Sequence, residues 1–224
     1  EIVKGHTYAD RKVIRPHLER LLESKELAEL ALSISQSKYV FFEGQRCNTL
    51  HPTALFIMEN VIVKRFTALA NVMNLFTPLV DLEFKKAMDT VLFPLTCQQT
   101  QAIAMALDNG ISCIVGGAGT GKTTVLNVAL AVFRAMQFII HPMAISGRAA
   151  MRLKESIGMP TQTIAGFLRS DPIKIVDGGS KHIVVIDEAS MVDIPTMYQL
   201  VVHADPGVFF LFTGDPNQLP PIGP

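Results

Sequence analysis

From Leu95 onward, short apolar runs alternate with longer stretches that have helical spacing. The apolar runs are nearly continuous, as in parallel strands covered on both faces. They are Ile111 to Val115, Val184 to Ile186 and Val208 to Phe212. The stretches with helical spacing are Gln98 to Asn109, Lys122 to Gln137, Gly147 to Ile157 and Ile194 to His203. This alternation predicts an α/β fold, in which a parallel sheet has helices on both faces.

One further strand is predicted between Phe138 and Ile145, but Pro142 lies within it. Proline has no backbone N–H, so it cannot donate a hydrogen bond to a neighbouring strand. We therefore expect this strand to lie at an edge of the sheet or to be broken at Pro142.

The first 93 residues have a different pattern and contain no glycine-rich loop. Leucines between Arg15 and Leu30 have the spacing of an amphipathic helix, and Pro16 fits its first turn. Tyr39 to Phe42 is a short run with β propensity. The pattern predicts a small, mainly helical or α+β domain over residues 1–93, followed by the α/β domain over residues 94–224.

The middle of the N-terminal region allows two interpretations. Ala54 to Met58 and Ile62 to Phe66 fit two strands that turn at Glu59-Asn60, or one long helix, because periodicity does not separate the two for short apolar runs. The following stretch, Phe66 to Phe76, predicts a helix. Both alternatives remain open at the level of the sequence.

The composition is that of a folded protein, with 49% hydrophobic and 18% charged residues. The longest apolar stretch, Val125 to Met136, contains Asn127 and Arg134 and fits a buried helix rather than a membrane span. The N-terminus lacks the apolar core of a secretion signal, and three scattered cysteines fit a reducing compartment. We expect a cytoplasmic protein with no membrane partner.

The net charge is zero, whereas simple nucleic-acid binders are usually basic. A nucleic-acid path that is shared with another domain does not require this part of the protein to be basic. The charge therefore excludes a strongly basic binding module and leaves a shared nucleic-acid site open.

A glycine-rich loop follows the first predicted strand: Gly116 to Thr124 reads GGAGTGKTT and opens a helix. This is a P-loop in the strand-loop-helix context that it requires. Its backbone N–H groups and the helix N-terminus can bind phosphates, Lys122 can reach the β- and γ-phosphates, and the hydroxyl of Thr123 can bind Mg²⁺. The residues expected to bind the nucleotide are Gly117, Gly119, Thr120, Gly121, Lys122, Thr123 and Thr124.

Two acidic residues, Asp187 and Glu188, end the apolar strand that begins near Ile183. Two acids at a strand end are commonly a solvated turn, but the P-loop upstream favours a catalytic role. We expect Asp187 to hold Mg²⁺ and Glu188 to polarise the attacking water. The adjacent Glu188 favours nucleotide hydrolysis over nucleotide binding alone.

A polar loop, Thr213 to Pro221, follows the last predicted strand. Ligands of open α/β sheets bind at the carboxyl ends of strands, so Gln218 could contact the γ-phosphate and respond to its loss. A proline-rich surface turn is the alternative interpretation. With Lys122, Asp187 and Glu188, Gln218 completes the predicted catalytic set.

The motifs GGAGTGKTT, VVIDEASMVD and TGDPNQLPPIGP, in this order and spacing, resemble motifs I, II and III of RecD-like superfamily 1 DNA helicases. The resemblance covers about Leu95 to Pro224 and implies a RecA-like motor domain that uses ATP and Mg²⁺. The segment LTCQQTQA resembles the glutamine-bearing segment before the P-loop in that family, which implies that Gln99 lies near the adenine.

Two more segments resemble stretches of the same family that lie along single-stranded DNA. They are AISGRAA, which contains Ser146 and Arg148, and TIAGFL, which begins at Thr163. Ile145 and Ala165 depart from the family's proline and histidine. The resemblance implies that Ser146, Arg148 and Thr163 contact DNA phosphates, although an arginine at a helix start is by itself more often an ordinary surface cation.

The resemblance also implies a function for the complete protein. Such a protein would couple ATP hydrolysis to 5′→3′ movement on single-stranded DNA in recombination or repair, with nuclease or helicase subunits as candidate partners. In this family the arginines that complete the site lie in a second RecA-like domain, which we expect to be absent here. We expect residues 1–224 to bind ATP·Mg²⁺ and to hydrolyse it slowly, because an arginine supplied from the opposite domain accelerates hydrolysis strongly.

Three alternatives remain. The motor segment of a conjugative relaxase has a similar P-loop region, and a histidine cluster upstream would identify it. A nucleotide-binding scaffold subunit is the second alternative, and intact Lys122, Thr123, Asp187 and Glu188 argue against it. A small-molecule kinase is the third, and Glu188 and Gln218 disfavour it.

Overall fold

The computed structural model describes residues 7–38, 40–43, 49–72, 77–176 and 179–215. These residues form two compact units. The first contains the described residues up to Ile62 together with Asp193–Tyr198, and the second contains those of Val63–Val192 and those from Gln199 onward. The first unit ends at Ile62 on its N-terminal stretch of chain, and the division into domains at residue 93 stays a prediction.

The first unit is a small α+β arrangement. Its strands are β1 (Ala9–Asp10), β2 (Val40–Glu43) and β3 (Thr49–Pro52), and its helices are α1 (Arg11–Leu22), α2 (Lys25–Lys38) and the first part of α3 (Thr53–Ala70). The strands form an antiparallel sheet in the order β1-β3-β2. The β-prone run that begins at Tyr39 is confirmed by β2, whereas Tyr39 itself lies outside the described residues.

The single amphipathic helix expected around Arg15 to Leu30 is wrong, because the structure has two helices there. Helix α1 ends where Glu23 adopts a left-handed conformation with φ of 51°. Ser24 then accepts a hydrogen bond from the N–H of Leu27 (3.2 Å), which caps the start of α2. Pro16 lies inside α1 rather than in its first turn, since α1 already begins at Arg11.

Helix α3 resolves the ambiguity between two strands and one helix in favour of one long helix, Thr53–Ala70. Its C-terminal half belongs to the second unit, where Phe66 contacts Phe210 and Phe212 with ring centroids 5.6 Å away in each case. The helix predicted over Phe66 to Phe76 is present only up to Ala70, and residues 73–76 lie outside the described part of the chain.

From Pro78 onward, helices and strands alternate. The helices are α4 (Pro78–Asp89), α5 (Cys97–Asp108), α6 (Lys122–Ala135), α7 (Gly147–Ile157), α8 (Ile164–Phe167) and α9 (Ile194–Val202). The strands are β4 (Ile111–Val115), β5 (Ile139–Ala144), β6 (Gln162–Thr163), β7 (His182–Asp187) and β8 (Phe209–Gly214). The predicted helices and strands are thereby confirmed, with shifts of a few residues at their ends.

The five strands form one sheet in the order β4-β8-β7-β5-β6, and every pair is parallel. Val184 and Val185 are both fully buried, and neighbouring residues of a strand point to opposite faces. Both faces of the sheet are therefore covered. The predicted α/β class is confirmed.

Strand β5 is not broken at Pro142. It pairs along its whole length with β7, with Pro142 opposite Val185. On its other side it pairs with β6 only at Met143 and Ala144. At Pro142, strand β5 is thus paired on one side only among the described residues, which is where a residue without an N–H is tolerated.

Two histidines meet within the sheet. His141 of β5 and His182 of β7 form a stacked pair, with Nε2 of His141 2.9 Å from Nδ1 of His182. The pKa of His141 is lowered to about 4, chiefly by burial and in second place by the neighbouring His182. The pair is therefore stable only while His141 is neutral.

The parallel arrangement brings the carboxyl ends of β4, β8, β7 and β5 to one edge of the sheet. The P-loop follows β4, Asp187 ends β7, and Ser146 follows β5. In the described part of the chain, no helix is long and apolar enough to cross a membrane.

Candidate nucleotide-binding site

The P-loop joins β4 to α6 and is attached to the next strand by a hydrogen bond from the N–H of Gly116 to the carbonyl of Gly214 (3.2 Å). Gly119 and Gly121 adopt left-handed conformations with φ of 75° and 84°, which residues other than glycine rarely adopt. No side chain caps the start of α6. Its first N–H groups therefore remain available to an anion, and the positive end of the helix dipole favours one there.

Lys122 begins α6 and turns back over the loop. Its ammonium group donates to the carbonyls of Gly116 (2.6 Å) and Gly117 (2.7 Å). Thr120 closes the loop from the other side, where its hydroxyl donates to the carbonyl of Gly117 (2.9 Å). The ammonium group is thus held within the concave side of the P-loop, where the β- and γ-phosphates of a nucleotide would require a positive charge.

The two acids at the end of β7 differ in what fixes them: Asp187 is held through its side chain, and Glu188 has an unusual backbone conformation. Thr213 of β8 is 1% exposed, and its hydroxyl donates a hydrogen bond to the carboxylate of Asp187. This bond fixes the orientation of the carboxylate. Glu188 has a left-handed backbone with φ of 54° and ψ of 39°, and such strain in a residue other than glycine is concentrated at functional sites.

These residues surround one cavity of about 130 Å³. Its polar lining consists of Lys122, Thr123, Ser156, Asp187, Glu188, Thr213 and Asp215. The cavity thus combines a cation, hydroxyl groups and acids in its lining. Among the described residues, no group of three or more His, Cys, Asp or Glu side chains is placed to hold a metal ion.

The sequence was compared with models of known protein families. A family model described as an AAA domain matches residues 94–224. The chain belongs to the AAA domain family. This AAA domain contains the P-loop, both acids and the strand that positions them.

The relatives of this AAA domain include helicase subunits. The RecBCD enzyme subunit RecD of Buchnera aphidicola is 32% identical over 58% of this chain and 26% of its own length. The ATP-dependent RecD2 DNA helicase of Deinococcus radiodurans is 26% identical over 56% of this chain and 18% of its own length. A probable conjugal transfer protein TraA of Sinorhizobium fredii is 34% identical over 56% of this chain and 11% of its own length.

The chain thus spans between about a tenth and a quarter of the lengths of these relatives. The family match and the RecD relatives confirm the resemblance to RecD-like superfamily 1 helicases. The parallel sheet with its P-loop confirms the RecA-like fold class of the AAA domain.

Of the predicted catalytic residues, Lys122, Asp187 and Glu188 line the same cavity. Gln218 lies outside the described residues. The nucleotide-binding candidates Gly117, Gly119, Thr120, Gly121, Thr123 and Thr124 lie in the P-loop and the first turn of α6.

Gln99 lies beside the P-loop at the start of α5. The carbonyl oxygen of its side chain accepts from the N–H of Thr96 (2.9 Å), and its amide nitrogen donates to the carbonyl of Thr120 (3.0 Å). Thr96 in turn caps the N–H of Gln99, so the two residues form a capping box. A threonine three residues before a glutamine is a sequence signal for a capping box. The sequence analysis did not predict this box.

The DNA-contact candidates lie at the ends of β5 and β6, whose Ala144 and Thr163 are paired. The hydroxyl of Ser146 accepts from the N–H of Ala149 (3.2 Å) and caps α7. Thr163 caps α8 in the same way, by accepting from the N–H of Gly166 (3.0 Å). Arg148 is exposed in the first turn of α7.

Three polar residues of the cavity, Ser156, Thr213 and Asp215, were not predicted as site residues from the sequence. Thr213 is a polar residue at the end of the buried run of β8, and Asp215 is only 6% exposed, although a carboxylate is rarely so buried without a role. A polar residue at the end of a buried strand is a sequence signal for a site residue. The position of Thr213 next to Asp187, however, depends on the order of the strands in the sheet.

Proposed function

We propose that this AAA domain binds ATP with Mg²⁺ and is the ATP-hydrolysing half of a DNA helicase motor that acts in the cytoplasm. The observation that supports this proposal is the cavity at the P-loop, which is lined by Lys122 and Thr123 of α6, by Asp187 at the end of β7 and by Glu188 directly after it. The names of relatives support the same function, because one of them is an ATP-dependent DNA helicase.

Each residue has a defined part in this proposal. Lys122 neutralises the charge that develops on the γ-phosphate, while the N–H groups of the P-loop hold the β-phosphate. Thr123 and Asp187 hold Mg²⁺, which supplies charge neutralisation when it is bound. Glu188 accepts a hydrogen bond from the attacking water and orients it toward the γ-phosphate. Thr213 keeps the Asp187 carboxylate turned toward the metal position.

We propose that single-stranded DNA lies over the ends of β5 and β6 and that its phosphates contact Ser146, Arg148 and Thr163. Ser146 and Arg148 are exposed, and Thr163 is half-buried beside them. Contacts of this kind position DNA without reading its sequence. By family likeness the movement is 5′→3′ and serves recombination or repair, with nuclease or helicase subunits as partners, in keeping with the name of the RecD relative.

The test is the ATPase rate of the natural-length protein, measured with and without single-stranded DNA, next to its Lys122→Ala variant. We expect single-stranded DNA to raise the rate of ATP hydrolysis. We expect the ATPase rate of the Lys122→Ala variant to be at least about 100-fold lower than that of the natural protein. Lys85→Ala, at an exposed position of α4, is the matched control and should behave like the natural protein. Nucleotide binding without DNA stimulation would instead support a scaffold subunit.

A second candidate is a motor segment of a conjugative transfer protein, which the likeness to TraA favours. Its motor would use the same cavity, so the ATPase assay does not distinguish it. Site-specific nicking of DNA by the natural-length protein would support this candidate, whereas unwinding without nicking would support the RecD-like one.

A further inference from the structure

Helix α7 extends between the two proposed binding regions. It begins at Gly147, directly after its cap Ser146, and it ends at Ile157. Its first turn carries Arg148 at the proposed DNA-contact end, whereas Ser156 in its last turn lines the cavity at the P-loop, here called the phosphate cavity. At the rise of an α-helix, its 11 residues span about 16 Å. One short helix therefore reaches from the proposed DNA contacts to the phosphate cavity.

The last turn of α7 is joined to α6 by a polar contact. The side-chain amide of Asn127 in α6 donates to the carbonyl of Ser156 (3.0 Å). The last four carbonyls of a helix have no partner within it, and in α7 the carbonyl of Lys154 accepts from the N–H of Gly158 (2.9 Å). Asn127 supplies a donor to another of these carbonyls. The bond therefore holds the end of α7 against α6 through the main chain.

Asn127 interrupts an apolar part of α6. The residues on either side of it, Leu126 and Val128, are buried, and so are Ala129 and Leu130. Asparagine has a lower helix propensity than alanine or leucine, and an amide among buried side chains requires a hydrogen-bond partner. Asn127 finds its partner in α7. This residue thus serves the contact between the two helices.

Asn127 also lies one helical turn after Thr123, the residue proposed to bind Mg²⁺. Residues that are four apart lie on the same face of a helix. Since a packed helix shifts as a rigid body, a shift of α6 at Asn127 also moves the hydroxyl of Thr123. The position of the last turn of α7 is thereby connected to the proposed metal ligand.

Apolar side chains of both helices complete this connection. Leu126 of α6 and Leu153 of α7 both line the phosphate cavity, and each is 2% exposed. Because protein interiors are close-packed, a displacement of one such side chain displaces its neighbours. The two helices therefore form a common wall of the phosphate cavity.

We propose that Asn127 is a positioning residue, which couples the DNA-contact end of α7 to the phosphate cavity. DNA phosphates at Ser146 and Arg148 hold α7 in one position, and the bond from Asn127 transmits this position to α6 and Thr123. The inference rests on the proposed binding of ATP and of single-stranded DNA. It adds that each ligand strengthens the binding of the other by the same factor, because a coupling free energy is reciprocal.

The test uses the natural-length protein, a non-hydrolysable ATP analogue and oligothymidylate. The dissociation constant of the analogue is measured with and without saturating oligothymidylate, and that of oligothymidylate with and without the analogue. We expect each ligand to lower the dissociation constant of the other by about tenfold, within the usual range for coupled sites. In Asn127→Asp, which keeps the size of the side chain and removes the donor, this factor should be at least about threefold smaller. Each ligand alone should bind to the variant as it binds to the natural protein.

Two further variants separate the bond from other effects of the substitution. Asn127→Ala should reduce the coupling factor as Asn127→Asp does, because both variants lack the donor. Asn109→Asp is the matched control, since the amide of Asn109 donates to the carbonyl of Met105 (2.8 Å) at the end of α5. The control removes a bond of the same kind, so it should leave the coupling factor unchanged.

Several results would overturn the inference. One is an unchanged coupling factor in both Asn127 variants. A second is a smaller factor in Asn127→Ala alone, which would assign the effect to lost volume. A third is weaker binding of the analogue alone with an unchanged factor, which would make Asn127 part of the nucleotide site itself. If the natural protein binds neither ligand, the proposed function fails together with this inference, whereas the first three results overturn only the inference.

Discussion

The same edge of the sheet carries two different kinds of chemistry. At the ends of β4, β8 and β7, charged side chains face a cavity, and a buried hydroxyl holds one of the carboxylates. At the ends of β5 and β6, the hydroxyls of Ser146 and Thr163 cap helices, and Arg148 is the exposed charge. In the proposed function, this difference separates an end that encloses one ligand in a cavity from an end that contacts a long polymer through exposed groups.

The largest effect should come from the strained acid at the nucleotide end. Glu188→Gln keeps the size of the side chain but removes the base that polarises water, so hydrolysis should fall by about 100-fold or more. Nucleotide affinity should change little, because binding depends on Lys122 and the P-loop. Single-turnover hydrolysis and fluorescent-nucleotide binding measure the two separately. Glu155→Gln, at an exposed position of α7, is the control, and an equal loss in both variants would contradict the role of Glu188.

A smaller effect is expected from the residue that orients Asp187. Thr213→Val replaces a buried hydroxyl with a methyl group of the same shape and leaves the carboxylate without its donor. We expect kcat to fall by about tenfold, the typical cost of one lost hydrogen bond to a charged group, and the Mg²⁺ concentration for half-maximal rate to rise. Thr213→Ser, which retains the hydroxyl, should have the kcat and the Mg²⁺ dependence of the natural protein. A fall in thermal stability alone, with unchanged Mg²⁺ dependence, would assign Thr213 a purely structural part.

At the other end, Ser146 allows helix capping and DNA contact to be separated. Ser146→Ala removes the cap of α7 and should cost about 1 kcal/mol of stability. Ser146→Asp retains a capping oxygen but adds a negative charge, so stability should be preserved while DNA affinity falls severalfold at low salt. Chemical denaturation and DNA titration at two salt concentrations check this. Equal DNA affinity of the aspartate variant and the natural protein would remove Ser146 from the DNA path.

The last prediction concerns the pH dependence of stability, through the histidine pair of β5 and β7. The pKa of His141 is lowered to about 4 in the folded protein, so the unfolded chain binds a proton at higher pH than the folded one does. Stability is therefore complete above the ordinary histidine pKa and is lost as the pH falls below it. The loss between pH 7 and pH 5 should be roughly 1–2 kcal/mol.

Urea denaturation at pH 7 and pH 5 measures that loss. His141→Asn should reduce the difference in the free energy of unfolding between pH 7 and pH 5. His17→Asn, at an exposed position of α1, should leave that difference unchanged. If the stability of both variants depends on pH in the same way, His141 is not the source of the stability loss at low pH.

The features that the sequence predicted are the ones encoded by neighbouring residues. The P-loop, the strand before it and the helix after it follow from a single continuous segment, and so do the two acids at the end of β7. The bond between Thr213 and Asp187 joins strands that are separated by α9, and it depends on β8 lying between β4 and β7. Periodicity carries no information about that order.

The break between α1 and α2 was missed for a related reason. It falls at Glu23 and Ser24, with neither glycine nor proline to mark it, and it depends on a left-handed glutamate. Gln99 is the opposite case, since its capping box with Thr96 was readable from the sequence. Its bond to the carbonyl of Thr120 required the folded chain.

Helix α3 has a consequence for how such a domain can be exchanged between proteins. The family match begins at residue 94, but Phe66 packs on Phe210 and Phe212 of β8, and Arg65 donates to the carbonyls of Asp205 and Val208. A gene fusion joined at residue 94 would transfer the phosphate cavity and leave these phenylalanines without that cover. A transferred segment would therefore need to include the C-terminal half of α3, because a shorter insert would expose apolar surface of the sheet and favour aggregation.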